Sequence, residues 1–437
     1  MKEALASGED VNRRDKKNNT ALIWAVKKGH ESIVRLLVEQ PGIDLNSRDA
    51  EEYTALMWAV IRGYRSILKV LLDQPLLDVN FQGPVGGTAL HGAVVKGDFE
   101  SVQLFLADNR VKVNCSDETG LTPLHQAART GHATLTKALL ANPHVEPNCC
   151  CEIGLTPLHM AADHEDAEVL QVLLDDPRVE VNCIDSIGMT PLDEAAYSGH
   201  VAGLQMLLAV PHVEMKPSKN ELSTTPLHHA VEGDHAQVAQ LLLADHRVDV
   251  NYSDREGMTP LHVAAHHGQT KALQVLLADQ RLEVNRGDAW GSTPLFAAAN
   301  LGHIEVVRLL LADTRVDVNF KNEHNLTALD TAVAEGNFEM VQLLLANEKV
   351  DVNSKNENNA TALHYAAEED YHQILGLLLS DPRQNSINCV DNEGEAPVMT
   401  ALVNESSKCL RKLLAHPNVN LDITDREGRG LKEVARY

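Results

Sequence analysis

Two histidines, His125 and His132, bracket a short run of helix-forming residues in the stretch GLTPLHQAARTGH. Histidine has the ordinary side-chain pKa nearest to neutral pH, and it is also a common metal ligand. A pair of imidazoles at this spacing could therefore supply a general base or hold a metal ion. A catalytic or metal site is needed once in a chain, so the deciding observation is whether the stretch recurs.

The stretch recurs along the whole sequence. A triplet Thr-Pro-Leu or Thr-Ala-Leu begins eleven times, in steps of 34 residues with one step of 35. The triplets begin at Thr20, Thr54, Thr88, Thr122, Thr156, Thr190, Thr225, Thr259, Thr293, Thr327 and Thr361. A degenerate copy, Ala-Pro-Val, follows at residues 396–398. A fixed period of this length indicates a stack of similar units rather than one globular core.

Eleven of the 21 histidines occupy two positions of this repeat. They are His91, His125, His159, His228, His262 and His364 directly after the triplet, and His30, His132, His200, His235 and His303 after a glycine or its replacement. A side chain that recurs with the period of the fold is typical of a structural role. We therefore interpret these histidines as structural.

Each part of the repeat favours a particular local structure. Thr122 is a good N-cap, and Pro123 suits the first helical position, where its missing N–H is not needed. Ala127 and Ala128 form a narrow apolar stripe that lets another helix approach closely, and Gly131 can adopt the left-handed conformation that ends a helix. Leucines at helical spacing then predict a second, antiparallel helix. Because one unit cannot bury its apolar stripe alone, neighbouring units must stack.

The pattern DxxGxTPLHxAAxxGH, followed by paired leucines and a trailing DVN, resembles the ankyrin repeat over essentially the whole chain. The resemblance implies an all-α fold, an ankyrin-repeat solenoid of antiparallel helix pairs with projecting β-hairpin loops. It also implies that the recurring imidazoles form hydrogen bonds between loops of adjacent units. The sequence departs from the common unit in its exit loop, because LADTRVDVN is one residue longer than LxxGADVN and lacks its glycine.

The repeat boundaries predict a single elongated array over residues 1–437. We expect an N-terminal half-repeat at 1–12, eleven regular repeats at 13–390, a degenerate repeat at 391–422 and a C-terminal half-repeat at 423–437. Because the sequence ends within a unit, we expect it to be part of a longer chain.

Charge and composition narrow the function. The formal net charge is −24, which disfavours nonspecific binding to nucleic acid or to an anionic membrane. Residues 1–73 are nearly neutral, with 12 Lys and Arg against 11 Asp and Glu, so the acidity lies in the remainder. The sequence contains neither an apolar run long enough to span a bilayer nor a signal peptide, and its seven cysteines form no regular pairs. We expect a cytoplasmic or nuclear protein.

Motifs for catalysis are absent from the sequence, which lacks GxGxxG, P-loop, HExxH, GxSxG and paired CxxC motifs. We therefore predict a non-enzymatic protein without a metal or cofactor, acting as a monomer.

Trp24 and Trp58 lie 34 residues apart at equivalent positions, and their matched spacing predicts that both pack in the core.

Large aromatic residues in successive loops are candidates for binding another protein, because such side chains often anchor interfaces. Trp290 lies in the loop GDAWGS, and the resemblance implies that hairpin tips and first-helix ends form a concave binding groove. The predicted partner-binding residues are Trp290, Tyr252, Phe320, Arg286, His266, His267, Asn300 and Leu301. The leading hypothesis is a protein–protein interaction scaffold or adaptor whose partner carries a basic or mixed-charge segment, since the chain is acidic.

A second hypothesis is recognition of a phosphate-bearing small ligand at a basic cluster near the N-terminus, as in an oligoadenylate-binding ankyrin domain. Its residues are Arg14, Lys16, Lys17, Lys27 and Lys28. A third is that the chain is the targeting arm of a larger protein whose effector domain lies elsewhere.

The resemblance implies one modification. Asparagines that follow the DV pair of ankyrin repeats are substrates of an asparaginyl hydroxylase. The positions that match are Asn114, Asn182, Asn251, Asn285, Asn319 and Asn353.

Overall fold

The computed structural model describes residues 10–164, 167–215 and 223–435, so residues 1–9 of the expected N-terminal half-repeat lie outside the described residues. The chain divides into two compact units, Met1–Asn220 and Glu221–Tyr437. In each unit the described helices alternate between the first and the second helix of successive repeats.

The described part of the first unit contains six helix pairs. Its helices are α1 (Ala21–Lys27), α2 (Glu31–Val38), α3 (Ala55–Arg62), α4 (Arg65–Leu72), α5 (Ala89–Val95), α6 (Phe99–Leu106), α7 (Pro123–Arg129), α8 (Ala133–Leu140), α9 (Pro157–Ala162), α10 (Ala167–Leu174), α11 (Pro191–Tyr197) and α12 (Val201–Leu208). A short 3₁₀ turn, Pro84–Gly86, forms the projecting loop before α5.

The described part of the second unit contains six further pairs and one more first helix. Its helices are α13 (Pro226–Glu232), α14 (Ala236–Ala244), α15 (Pro260–His267), α16 (Thr270–Ala278), α17 (Pro294–Asn300), α18 (Ile304–Ala312), α19 (Ala328–Ala334), α20 (Phe338–Leu345), α21 (Ala362–Glu368), α22 (His372–Ser380), α23 (Pro397–Val403), α24 (Ser407–Leu414) and α25 (Leu431–Val434).

The triplet begins each first helix as its residue types predict. In α7, Thr122 is the N-cap, its hydroxyl accepts a hydrogen bond from the backbone N–H of His125, and Pro123 is the first helical residue. Gly131 has φ +73°, which confirms the left-handed turn between α7 and α8. The same local rules therefore set the entry and the exit of the first helix in repeat after repeat.

The core of each unit lies between neighbouring repeats. First helices pack on first helices and second helices on second helices, as α15, α17 and α19 do in the second unit. The paired alanines Ala298 and Ala299 of α17 and Leu310 of α18 are fully buried. Because each stripe is covered only by adjacent repeats, stability comes from stacking.

The projecting loops also join neighbouring repeats. The N–H of Ala289 donates to the carbonyl of Glu256 in the preceding loop (2.9 Å), and the N–H of Glu323 donates to the carbonyl of Trp290 (3.1 Å). Among the described residues, β-type pairing consists of two isolated antiparallel bridges, at Arg48–Thr54 and Thr424–Gly430. The loop tips of the second unit thus form a row held by main-chain hydrogen bonds.

The longer exit loop contains an Asp-x-Arg pair whose arginine binds the preceding repeat, a contact that the sequence did not reveal. We call this pair the Asp-x-Arg clamp. Arg315 pairs with Asp313 through two of its nitrogens, and its guanidinium also donates to the carbonyls of Leu277 (2.6 Å) and Asp279 (3.0 Å) in the preceding repeat. Carbonyls at a helix C-terminus lack partners within the helix, so the arginine satisfies them. Equivalent Asp-x-Arg pairs are Asp108–Arg110, Asp176–Arg178, Asp245–Arg247, Asp279–Arg281 and Asp381–Arg383.

Replacing Arg315 with alanine tests this clamp. The change removes the hydrogen bonds to Leu277 and Asp279, so we expect the free energy of unfolding to fall by about 1 kcal/mol, a value that allows for partial exposure of the pair. Urea unfolding followed by circular dichroism measures it. Arg308→Ala is the matched control, because within the described part of the chain Arg308 pairs with the exposed Glu305 alone, and its loss is expected to change stability by under about 0.5 kcal/mol. Equal effects of the two changes would contradict the clamp.

Candidate functional site

The histidines after the triplet join successive repeats. The Nε2 atom of His125 lies 3.0 Å from the carbonyl oxygen of Leu155, and that of His262 lies 3.0 Å from the carbonyl oxygen of Ser292. The same contact is made by His91, His159, His228 and His364. The predicted hydrogen bonds between adjacent repeats are confirmed for these six imidazoles.

The partners of each ring fix its proton. The Nδ1 atom of His125 accepts from the backbone N–H of Thr122, so the proton sits on Nε2 and is donated to the carbonyl of Leu155. Burial lowers the pKa of His125, and it lowers the pKa of His228 to about 4. Each of these rings therefore stays neutral and has both of its nitrogens in hydrogen bonds. Neither nitrogen is left to bind a substrate or a metal ion.

Two repeats, those of Asp193 and Asp330, carry aspartate at the position where six other repeats carry histidine. Asp193 and Asp330 are buried, and the Oδ2 atom of each accepts from the backbone N–H and the hydroxyl of its threonine N-cap. Burial is the main reason that the pKa rises to about 7 for Asp193 and to about 6 for Asp330. These carboxyl groups replace the imidazole in capping the helix but carry a desolvation penalty near neutral pH.

Trp290 is the most exposed of the predicted partner-binding aromatics, at 55%. Its loop is rigidly held, because the Oδ1 atom of Asp288 accepts from the backbone N–H groups of Trp290 (2.9 Å) and Ser292 (2.8 Å). The carbonyl of Trp290 accepts from Glu323 in the next loop. The indole is therefore presented to solvent from a fixed main chain, which reduces the entropy lost when it binds.

Tyr252, Arg286 and Phe320 occupy the same position in three successive repeats. The ring of Tyr252 is half-buried and meets the ring of His228 edge-on, with centroids 6.3 Å apart. Arg286 donates to the carbonyl of Asn251 (3.1 Å) and lies 3.4 Å from a carboxylate oxygen of Glu283, whereas Phe320 is exposed. Arg286 and Phe320 are therefore both exposed to a partner, and Tyr252 is the least accessible of the three.

The remaining predicted partner residues lie at the ends of two adjacent first helices. His266 and His267 are exposed at the end of α15 with ring centroids 4.9 Å apart, and Leu301 is exposed just after α17. Partial desolvation and, after it, the neighbouring imidazoles lower the pKa of His266. The Oδ1 atom of Asn300 accepts from the hydroxyl of Thr331. Since α15 and α17 pack together, these residues lie on one stretch of the second unit.

The basic residues near the N-terminus differ in their surroundings. Lys27 donates to Asn19 and to Asp49, both at 2.7 Å, so its positive charge is already paired with a carboxylate. The other four, Arg14, Lys16, Lys17 and Lys28, are exposed. The pKa of Asp49 is lowered by hydrogen bonds that outweigh its burial, the largest being the one from Lys27.

The two matched tryptophans do not both pack in the core. Trp24 is 43% exposed, so its predicted burial is wrong, and Trp58 is half-buried. The indole N–H of Trp24 donates to Asp15 (2.7 Å), and that of Trp58 donates to Asp49 (2.8 Å). The hydrogen bond holds the polar edge of each ring near a loop, which leaves the indole of Trp24 at the surface.

The asparagines proposed for hydroxylation form a second ladder between repeats. In Asn319, the side-chain Nδ2 donates to the carbonyl of Lys349 (2.8 Å) and Oδ1 accepts from the N–H of Asp351 (2.7 Å). Asn114, Asn182, Asn251, Asn285 and Asn353 make the same pair of contacts. A hydroxylase would have to capture these side chains after the ladder opens, and their hydroxylation stays a prediction.

The surface also contains residues that the sequence reasoning missed. Ile61 and Val95 are exposed apolar residues on α3 and α5, and Arg62 and Lys96 follow them directly. Aligning the residues at a fixed distance after each triplet would have found this recurrence. Over the described residues, no group of three or more His, Cys, Asp or Glu is placed to hold a metal ion, and no helix is long and apolar enough to cross a membrane.

The chain as a whole is similar to known repeat proteins. The family model described as ankyrin repeats (3 copies) matches residues 1–82, 74–148, 131–217, 209–288, 280–356 and 345–425. The crystal structure of the ankyrin repeat domain of Bcl-3, a unique member of the IkappaB protein family, aligns at 26% identity over 52% of this chain and 99% of that chain, with a TM-score of 0.47. Curated protein sequences give no match. Ankyrin repeats are a non-catalytic module for binding other proteins, and this chain belongs to the ankyrin-repeat family.

Proposed function

We propose that the protein is a non-enzymatic interaction scaffold that binds a protein partner through the loop tips and first-helix ends of its second unit. The observation that carries the proposal is the exposed indole of Trp290 on a tip that is fixed by Asp288 and by the neighbouring loop. A large aromatic presented from a rigid main chain is the usual form of an interface anchor.

The charge around Trp290 supports a partner with a basic or mixed-charge segment. Glu323 and Glu357 are exposed in the next two tips, and Glu335 and Glu368 are exposed at or beside the ends of first helices α19 and α21. Opposite charge on a partner would accelerate its encounter with this surface and orient it. All seven cysteines are free thiols, which accords with the proposed action in the cytoplasm or nucleus.

Trp290→Ala tests the proposal. Peptides selected from a random display library on the whole wild-type chain serve as probes, and their Kd values are measured by fluorescence anisotropy. We expect peptides that bind the second unit to lose at least about tenfold in affinity, because removal of an anchor residue usually costs 2 kcal/mol or more. The melting temperature is expected to stay unchanged, since the side chain is mostly in solvent.

Phe338→Ala is the matched control, because Phe338 is another exposed aromatic of the second unit but lies at the start of second helix α20. It is expected to leave the Kd values unchanged. Selected peptides that bind the Trp290→Ala chain as tightly as the wild type would remove Trp290 from the proposed interface.

A further inference from the structure

A row of cations crosses the first helices of the first unit. Lys28, Arg62 and Lys96 follow their triplets at the same distance in three successive repeats, and all three are exposed. The helices α1, α3 and α5 pack side by side. Axes of packed helices lie about 8–10 Å apart, so the three positive charges repeat at roughly that spacing along the unit.

Exposed apolar side chains lie beside each cation of this row. Trp24 is 43% exposed with the Nζ of Lys28 5.5 Å from its ring centroid, and Ile61 and Val95 are 43% and 48% exposed. Trp24, Ile61 and Val95 thus place exposed apolar side chains on the first helices of three successive repeats, and a patch of this kind is less common on a monomer than isolated apolar residues. The surface, which we call the cation–apolar row, therefore combines Lys28, Arg62 and Lys96 with Trp24, Ile61 and Val95.

Contacts with neighbouring residues hold two of the three cations in place. The guanidinium of Arg62 lies 5.3 Å from the ring centroid of Trp58. The Nζ of Lys96 donates to the carbonyls of Val60 (3.1 Å) and Ile61 (2.9 Å), so it reaches back over the end of the preceding first helix. Arg62 is thus held against an aromatic ring of its own helix, and Lys96 against the end of the preceding first helix.

We propose that the cation–apolar row docks an extended, acidic segment of a protein partner, with acidic residues about every third position and apolar residues between them. An extended chain advances about 3.3 Å per residue, so three residues span the separation of neighbouring first helices. Charge complementarity identifies the segment as acidic, and the exposed apolar side chains match apolar residues between the charges. This surface belongs to the first unit and is independent of the function proposed for Trp290.

Fixed carboxylates among the cations favour an acidic peptide over a compact phosphate ligand. Asp15 lies at the edge of Trp24 and Asp49 at the edge of Trp58, within the cluster formed by Lys27 and Lys28. The hydrogen bond from the Asn19 side chain is the largest cause that lowers the pKa of Asp15 to about 2, so this carboxylate stays ionised. A dense cluster of phosphates would lie against both negative charges, whereas spaced carboxylates can meet the cations one at a time.

The test measures binding of fluorescein-labelled peptides to the whole chain. One peptide carries glutamate at every third position with leucine and serine between, a second has the same composition with its glutamates in one block, and a third carries lysine in place of glutamate. We expect the spaced acidic peptide to bind at least about tenfold more tightly than either of the others. Equal binding of the spaced and blocked peptides would overturn the proposal. It would show that the peptides bind through their net charge and that the spacing of their glutamates does not have to match the spacing of the cations.

Charge reversal on the row locates the binding. The double variant Lys28→Glu with Arg62→Glu is expected to weaken the spaced acidic peptide at least about tenfold. The control double variant Arg35→Glu with Lys69→Glu makes the same change in net charge on second helices α2 and α4 and is expected to leave the affinity near that of wild type. Similar losses in the two double variants would overturn the assignment to the row, and circular dichroism checks that both are folded.

Two further measurements separate this proposal from its alternatives. Trp290→Ala is expected to leave binding of the spaced acidic peptide unchanged, so either proposal can fail without the other. Inorganic tripolyphosphate is expected to displace the peptide only through ionic strength, as sodium chloride does at equal ionic strength. Displacement by tripolyphosphate at far lower concentrations would overturn the peptide proposal in favour of a phosphate site.

Discussion

Replacing Gly257 with valine is expected to lower the free energy of unfolding by about 3 kcal/mol or more. Gly257 has φ +77°, a conformation that a β-branched residue adopts only with strain. A Cβ atom at this position would also lie 2.5 Å from the backbone nitrogen of Ala289, which donates to Glu256 across the repeat boundary. The valine would therefore strain its own loop and separate it from the next one. Urea unfolding followed by circular dichroism measures the loss.

Gly428 provides a matched control for this change. It occupies the equivalent loop position with φ +78°, and no described atom lies within 4 Å of the position its Cβ would take. Gly428→Val is therefore expected to show the backbone strain alone, about 1–2 kcal/mol. A loss as large as that of Gly257→Val would mean that contact between neighbouring loops adds nothing to stability.

Replacing Asp330 with histidine is expected to stabilise the protein by about 2 kcal/mol at pH 7.5. The pKa of Asp330 is raised from 3.8 to about 6, chiefly by burial. The stability that this group contributes is fully present below about pH 4 and is lost as the pH rises to about 6, because the unfolded chain ionises first. An imidazole at this position could accept from Thr327 and donate to the carbonyl of Ala360, as His262 does with its own neighbours.

The pH dependence of the difference between variant and wild type tests this account. The gain of Asp330→His over wild type should grow between pH 4 and about pH 6.5 and then level off, as measured by urea unfolding at each pH, because the wild type loses stability as Asp330 ionises and the variant gains stability as the imidazole of its unfolded chain loses a proton. The reverse change, His262→Asp, is expected to destabilise the same unit because it buries a new carboxyl group. A stability difference that does not vary with pH would show that Asp330 is not desolvated.

The sequence was sufficient to predict the repeated parts of the fold because their causes are local. Thr122, Pro123 and Gly131 act through backbone conformation and capping, and the structure confirms each role. The period of the histidines also predicted that they are structural. Recurrence works as evidence because a stack applies the same packing constraints to every repeat.

Features that depend on contacts between repeats were harder to predict. The longer exit loop was visible in the sequence, but only the folded structure shows that Arg315 reaches the carbonyls of the preceding repeat. The position of Trp24 after its triplet predicts a buried side chain, yet its hydrogen bond to Asp15 holds the indole at the surface. Which exposed residues bind a partner depends on that partner's chemistry, so the roles of Trp290 and its neighbours remain proposals.

The protonation state of the six histidines that directly follow the triplet tests most directly the claim that these recurring side chains hold the repeats together rather than act as bases or metal ligands. Nuclear magnetic resonance of ¹⁵N-labelled imidazoles reports the tautomer and the pKa of each ring. For His91, His125, His159, His228, His262 and His364 we predict a proton on Nε2 and pKa values below the ordinary 6.5, with His228 near 4. Rings that titrate near 6.5 with the proton on Nδ1, or that shift on addition of Zn²⁺, would contradict it.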